Sequence, residues 1–227
     1  MSFTASMILA VIASLGCIAG IVAFLQAEKE RTKWMLRSCV SACILMTGMA
    51  LMPQGSDKIA PMILLGAALE QAADLILHLR PEYPQGKTPV ILTAGIFSVA
   101  GYFFCINGLM AVAQPEWEGV LSLFVVGIIA TLYYKKRQGI HPGKLLIPAF
   151  FHLFAALFMG CMALALLVRN FNMGFILMAL GGVSQIISGN AGLAHRFGRK
   201  PTHPQGLVSR LGFWLGQLLI VWSVLFL

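Results

Sequence analysis

Eight long apolar runs separated by short polar connections make up this chain. They cover approximately 5–27, 34–52, 59–79, 89–113, 119–134, 145–168, 173–194 and 207–227, the fifth being the shortest. A bilayer-spanning helix needs about 20 mostly apolar residues. Runs this continuous are not the alternating segments of barrel strands. The pattern predicts an all-α, polytopic transmembrane helical bundle of about eight spans. Pro and Gly mark the connections: Pro53-Gln54-Gly55, Arg80-Pro81, Pro84-Gln85-Gly86, Pro115, Gly139 to Gly143 and Pro201 to Gly206. Links this short make successive helices antiparallel neighbours. None can hold a separate domain, so residues 1–227 read as a single integral membrane domain.

Composition agrees: 59% of the 227 residues are hydrophobic and 11% charged, which excludes a soluble domain. The net charge of +8 could suggest nucleic acid, but its placement argues for the membrane instead. Of the sixteen Lys and Arg, fourteen lie in or beside the odd-numbered connections, and Lys58 and Arg169 are the exceptions. By the positive-inside rule the odd connections are cytoplasmic and both termini face the opposite side, as in a multi-pass protein of the cell (plasma) membrane. The first span has no basic residue before it and is longer than a signal core, so it should remain as a helix. Cys17, Cys39, Cys43, Cys105 and Cys161 all lie within spans without a CxxC or Cys/His cluster, and read as small packing residues. Trp34, Tyr83, Trp117, Tyr133 and Tyr134 stand at span ends as interfacial anchors.

One span departs from the apolar rule. Glu70 and Asp74, four residues apart in the third, are the two carboxylates inside an apolar run; the other six acidic residues fall in connections. A charge near the bilayer centre costs roughly 2.5–3.5 kcal/mol, which makes such residues candidates for function. The i, i+4 spacing puts both on one helical face, His78 extends that face, and Gln71 lies beside it. Asp74 sits roughly 7 Å inside the span end, a depth Arg37 of the second span shares, so the two can pair. An ionised Asp74 beside a protonated Glu70 is the combination that acid/base chemistry requires. The seventh span adds Ser184, Gln185, Ser188, Asn190 and His195, the eighth Gln217 and the sixth His152, all of which interhelical hydrogen bonding would also explain. Small residues such as Gly66-Ala67-Ala68 and Gly181-Gly182 suggest that the third and seventh helices pack at the centre. The stretches Gly66 to Gln71 and Gly181 to Gln185 echo each other, as a four-plus-four pseudo-repeat would produce.

Four segments carry a resemblance. They are Lys33-Trp34-Met35-Leu36, Ala67 to Leu77, Ile187 to Phe197 and Phe213 to Ile220. Together they resemble the lysoplasmalogenase (YhhN-like) family of eight-helix membrane proteins, with Asp74 on the family's helix-3 aspartate. The chain is a divergent member in this comparison. The family's helix-3 serine and glycine are met by Glu70 and Ala73, its helix-7 aspartate by Gly189, and a helix-4 histidine by Tyr102 and Phe103.

The resemblance implies an intramembrane hydrolase that cleaves the vinyl ether of a lysophospholipid, releasing a fatty aldehyde and a glycerophospho-alcohol. Such cleavage starts with protonation of carbon. It passes through an oxocarbenium ion that an anion can stabilise. Glu70 would be the proton donor and Asp74 the stabilising carboxylate and water activator. Gln71, His78, Ser188, Asn190 and Gln217 would orient the reactants, and Arg37 or His195 would meet the headgroup phosphate. This chemistry needs no metal or cofactor. The same stripe would also serve a proton-coupled small-solute transporter as a proton relay. A zinc hydrolase built from Asp74, His78, His152, His195 and His203 is a third reading, although no HxxxH or HxxH pair occurs.

Overall fold

The computed structural model describes residues 2–78, 87–200 and 202–227. Arg80, Glu82, Tyr83 and the Pro84-Gln85-Gly86 segment lie outside them. The described residues form eight helices and no strand: α1 Phe3–Gln26, α2 Glu30–Leu51, α3 Ala60–His78, α4 Lys87–Val112, α5 Trp117–Gln138, α6 Leu146–Arg169, α7 Met173–Phe197 and α8 His203–Ser223. Each is long and apolar enough to cross a membrane.

Local chemistry moves two boundaries away from the apolar runs. The fifth run stops at Tyr134, but α5 continues through the basic stretch Lys135 to Arg137. It closes at Gly139, whose φ of 59° is left-handed and whose N–H returns to the α5 carbonyls. Cationic side chains in a last turn suit the negative end of the helix dipole. The eighth helix starts earlier than its apolar run, at His203, because Thr202 and Gln205 form a capping box at its start. Asn172 caps α7 by accepting the Phe175 N–H at 2.8 Å.

Six helices form a ring in the order α2, α3, α4, α6, α7 and α8, with α8 closing back onto α2. α1 packs outside the ring on α2, and α5 outside it on α6. α5 buries Val120 and exposes Leu121, Val126 and Ile129, side chains suited to lipid. One core, containing Met159, Met162, Leu166, Phe175, Met178 and Ile220, binds α6, α7 and α8 to α3 and α4. A second, with Cys17, Phe24, Val40, Ile44 and Trp214, joins α1 and α2 to α8.

The tight helix pairs of the ring are α3–α4 and α7–α8, so the small-residue stripes of α3 and α7 each meet the helix that follows. Backbones touch in both pairs. A Cβ on Gly66 would stand 2.7 Å from the Gly101 carbonyl oxygen, and one on Gly181 would stand 2.9 Å from that of Gly216. Without aqueous hydrophobic drive inside lipid, such close approach is a main source of helix association. The two contacts correspond residue for residue. Gly66, Glu70, Gly101 and Cys105 map onto Gly181, Gln185, Gly216 and Ile220 by one constant sequence offset, and each set makes the same contacts. The helix boundaries of α1–α4 and α5–α8 follow that offset within a few residues. α4 packs on α6 as α8 packs on α2, the relation expected for two like-oriented four-helix halves.

Candidate functional site

The ring encloses a cavity of about 560 Å³. Its walls come from positions 70–78 of α3, 91–98 of α4, 145–152 at the start of α6, 188–197 of α7 and 206–214 of α8. All of these lie in the half of the bundle where α3 and α7 end and where α4, α6 and α8 begin. The cavity is therefore one-sided. Leu77, Ile91, Ala94, Pro148, Leu193 and Phe213 make much of the wall apolar. His195, Arg196 and Arg210 line its outer part, while Glu70, Ser98, His152 and Ser188 lie at its deep end. Glu70 is two turns inside the described end of α3, roughly 12 Å at the helical rise.

Glu70 is 1% exposed, and its partner is Ser98 of α4, 28 residues away in sequence. The Ser98 hydroxyl donates to Oε1 at 2.8 Å and lies 3.0 Å from Oε2. On its other side Ser98 Oγ is 2.8 Å from His152 Nδ1. Gly101 makes room for this arrangement, since a Cβ there would sit 3.0 Å from Glu70 Cγ. Tyr102 packs on the His152 ring and donates to Gln185 Oε1 at 3.4 Å. Gln185 in turn donates to the Phe213 carbonyl.

Asp74 belongs to a second cluster, toward the outer end. Its Oδ1 lies 3.3 Å from His78 Nδ1 and 3.8 Å from Arg37 Nη1. Arg37 also contacts His78 Nε2. A guanidinium can only donate, so Nε2 is the acceptor and the ring proton sits on Nδ1. There it faces the Asp74 carbonyl at 2.6 Å as well as Oδ1. The buried Arg37 is held further between aromatic rings, 5.0 Å from the Phe24 centroid and 5.8 Å from Trp214. Asp74 Oδ2 and Trp214 Nε1 are buried without a partner among the described residues.

The structure thus brings Glu70, Asp74, His78, Ser188 and His195 to one cavity, with Arg37 behind Asp74. Ser188 donates to the Ser209 carbonyl, and His195 Nδ1 lies 3.2 Å from the Thr202 carbonyl. Gln71, Asn190 and Gln217 are not cavity-lining residues. Gln71 faces α2, where it accepts from Ser41 at 2.7 Å. Asn190 donates back to Ile186 on its own helix, and Gln217 is buried within the packing of α8. Among the described residues no three His, Cys, Asp or Glu side chains converge as metal ligands, so the five proposed zinc donors do not form a set. Sequence reasoning missed Ser98 and treated His152 as a packing residue or a zinc ligand. A lone serine in an apolar span carries no distinguishing signal.

Fold and site together define a multi-pass helical membrane protein with a one-sided cavity that holds two carboxylates. The YhhN family model matches residues 32–224, and the chain belongs to that family. Comparison with curated proteins and with solved structures returns no match.

Proposed function

We propose that this protein is an intramembrane hydrolase, lysoplasmalogenase-like, that cleaves the vinyl ether of a lysophospholipid. The observation that carries the reading is the one-sided cavity, with apolar walls, arginines toward its outer end and a carboxylic side chain at its deep end. Its volume of about 560 Å³ falls within the range of small-molecule sites, about 300–1,000 Å³. A transporter needs access from both faces, whereas a lipid hydrolase needs one opening. Family membership is consistent with the same activity.

In this reading the hydrocarbon chain lies along the apolar wall and the phosphate meets Arg196 and Arg210. Glu70 gives its proton to the vinyl carbon, leaving an oxocarbenium ion that Asp74 stabilises. A water molecule adds to the cationic carbon and passes its proton to Asp74. The resulting hemiacetal breaks to a fatty aldehyde and a glycerophospho-alcohol. Arg37 and His78 hold Asp74 in place through its Oδ1. The odd-numbered connections, and so the cavity mouth, would face the cytoplasm.

Purified protein in detergent should release fatty aldehyde from a lysoplasmalogen. Glu70→Gln and Asp74→Asn should each reduce the rate by about 10²–10⁴. If wild-type protein releases no aldehyde but moves protons in liposomes, and Glu70→Gln blocks that flux, the transporter reading replaces this one.

A further inference from the structure

We propose that Ser98 and His152 form a proton relay that reloads Glu70 after each turnover, an inference that rests on the hydrolase reading above. The three groups come from three helices and meet at the deep end of the cavity. Ser98 Oγ stands between the Glu70 carboxylate, at 2.8 and 3.0 Å, and His152 Nδ1, at 2.8 Å. A hydroxyl has one proton to give. When Ser98 donates to Glu70, the imidazole must therefore donate its Nδ1 proton to Ser98. Donor and acceptor then alternate in one direction, from the ring to the hydroxyl to the carboxylate.

The far edge of the ring completes the path. A Cβ built on Gly189 would lie 3.8 Å from His152 Nε2, and Gly189 itself lines the cavity. With no side chain at that position, residue 189 does not cover the ring edge, and His152 itself lines the cavity. Glu70 and Ser98 are 1% and 3% exposed, whereas His152 is half-buried, and all three line the cavity. The donor that must be reprotonated is thus more deeply buried than the imidazole that would supply it.

The step balances. Protonating the vinyl carbon leaves Glu70 as a carboxylate, and the adding water releases one proton through Asp74 to the cavity. His152 Nε2 takes a proton from cavity water, Nδ1 gives its own to Ser98, and Ser98 gives its own to Glu70. One proton enters the relay and one leaves it. To reset, the ring turns about its Cβ–Cγ bond so that Nδ1 meets cavity water, takes up one proton there while Nε2 releases one, and turns back to Ser98.

The role is read by separating the first turnover from the later ones. Glu70 starts loaded in any variant, so the first turnover is spared when only reloading is slow. Rapid-quench measurement of aldehyde should show Ser98→Ala and His152→Phe completing a first turnover near the wild-type rate. Steady state should then slow by about 10²-fold, a burst of one aldehyde per protein. Ser98→Thr, which keeps the hydroxyl, should abolish the burst and restore steady turnover. Unchanged steady turnover in Ser98→Ala and His152→Phe overturns the relay. So does an equal fall in the first and later turnovers, which would make Ser98 a support for Glu70 and nothing more. If Ser98→Ala does not fold, His152→Phe decides alone. If wild-type protein releases no aldehyde, the hydrolase reading falls and the relay with it. An active wild type whose variants show no burst removes only the relay.

Discussion

Adding one methyl group to α4 tests the link between backbone packing and the site. In Gly101→Ala the new Cβ would lie 2.8 Å from the Gly66 carbonyl oxygen, well inside ordinary contact, and 3.0 Å from Glu70 Cγ. The first obstacle is backbone, which cannot rotate aside, so α3 and α4 must part. Overpacking of this kind costs about 1–3 kcal/mol. At about 2–4 °C per kcal/mol for a chain of this size, the melting temperature should fall by about 2–12 °C. The same methyl displaces Glu70 from Ser98. A misplacement of about 1 Å at a reacting group can lose about 10² in rate. Gly216→Ala is the built-in control. Its Cβ would lie 3.0 Å from the Gly181 carbonyl oxygen and 2.8 Å from Gln185 Nε2, so it makes the same intrusion beside an amide where the other half has a carboxylate. Both variants should melt early in detergent, and aldehyde release per folded molecule should collapse only in Gly101→Ala. Equal loss of activity in the two at matched stability would refute the claim that Glu70's position sets the rate. Wild-type melting in Gly101→Ala would refute the close approach itself.

Arg37→Met should destabilise, by up to about 3 kcal/mol in chemical denaturation, because it leaves the half-buried Asp74 and His78 without their cation. Equal stability would show that the pair is dispensable. Asn190→Ala should leave aldehyde release near wild type, since that side chain bonds to its own helix and does not line the cavity; a large loss would place it in the site after all. On a cysteine-free background, single cysteines in the 135–144 connection should be protected from an external impermeant reagent and those in 114–118 should react. The opposite pattern would invert the proposed orientation.

The eight helices could be read directly from the sequence because lipid offers the backbone no hydrogen-bonding partner, so a long apolar run has one structural outcome. Glu70 and Asp74 stood out for a related reason: an ionisable group inside a span is too costly to be filler. The halves announced themselves through Gly66 and Gly181, although composition alone could not tell a repeat from shared small residues. What contacts those glycines was not visible. A glycine permits close approach but does not name the helix that approaches, and the partners are Gly101 and Gly216. Ser98 was equally hidden. A serine in an apolar span is inexpensive, and its importance lies in standing 2.8 Å from both a glutamate and a histidine on two other helices. Nor could the sequence tell Gln71 or Asn190, which bond into the packing, from Ser188 and His195, which line the cavity. Spans and costly charges are set by each segment's exchange with lipid, which is a local quantity. The relay, the cavity and its one-sided opening are set by how helices distant in sequence are turned toward one another, which only packing decides.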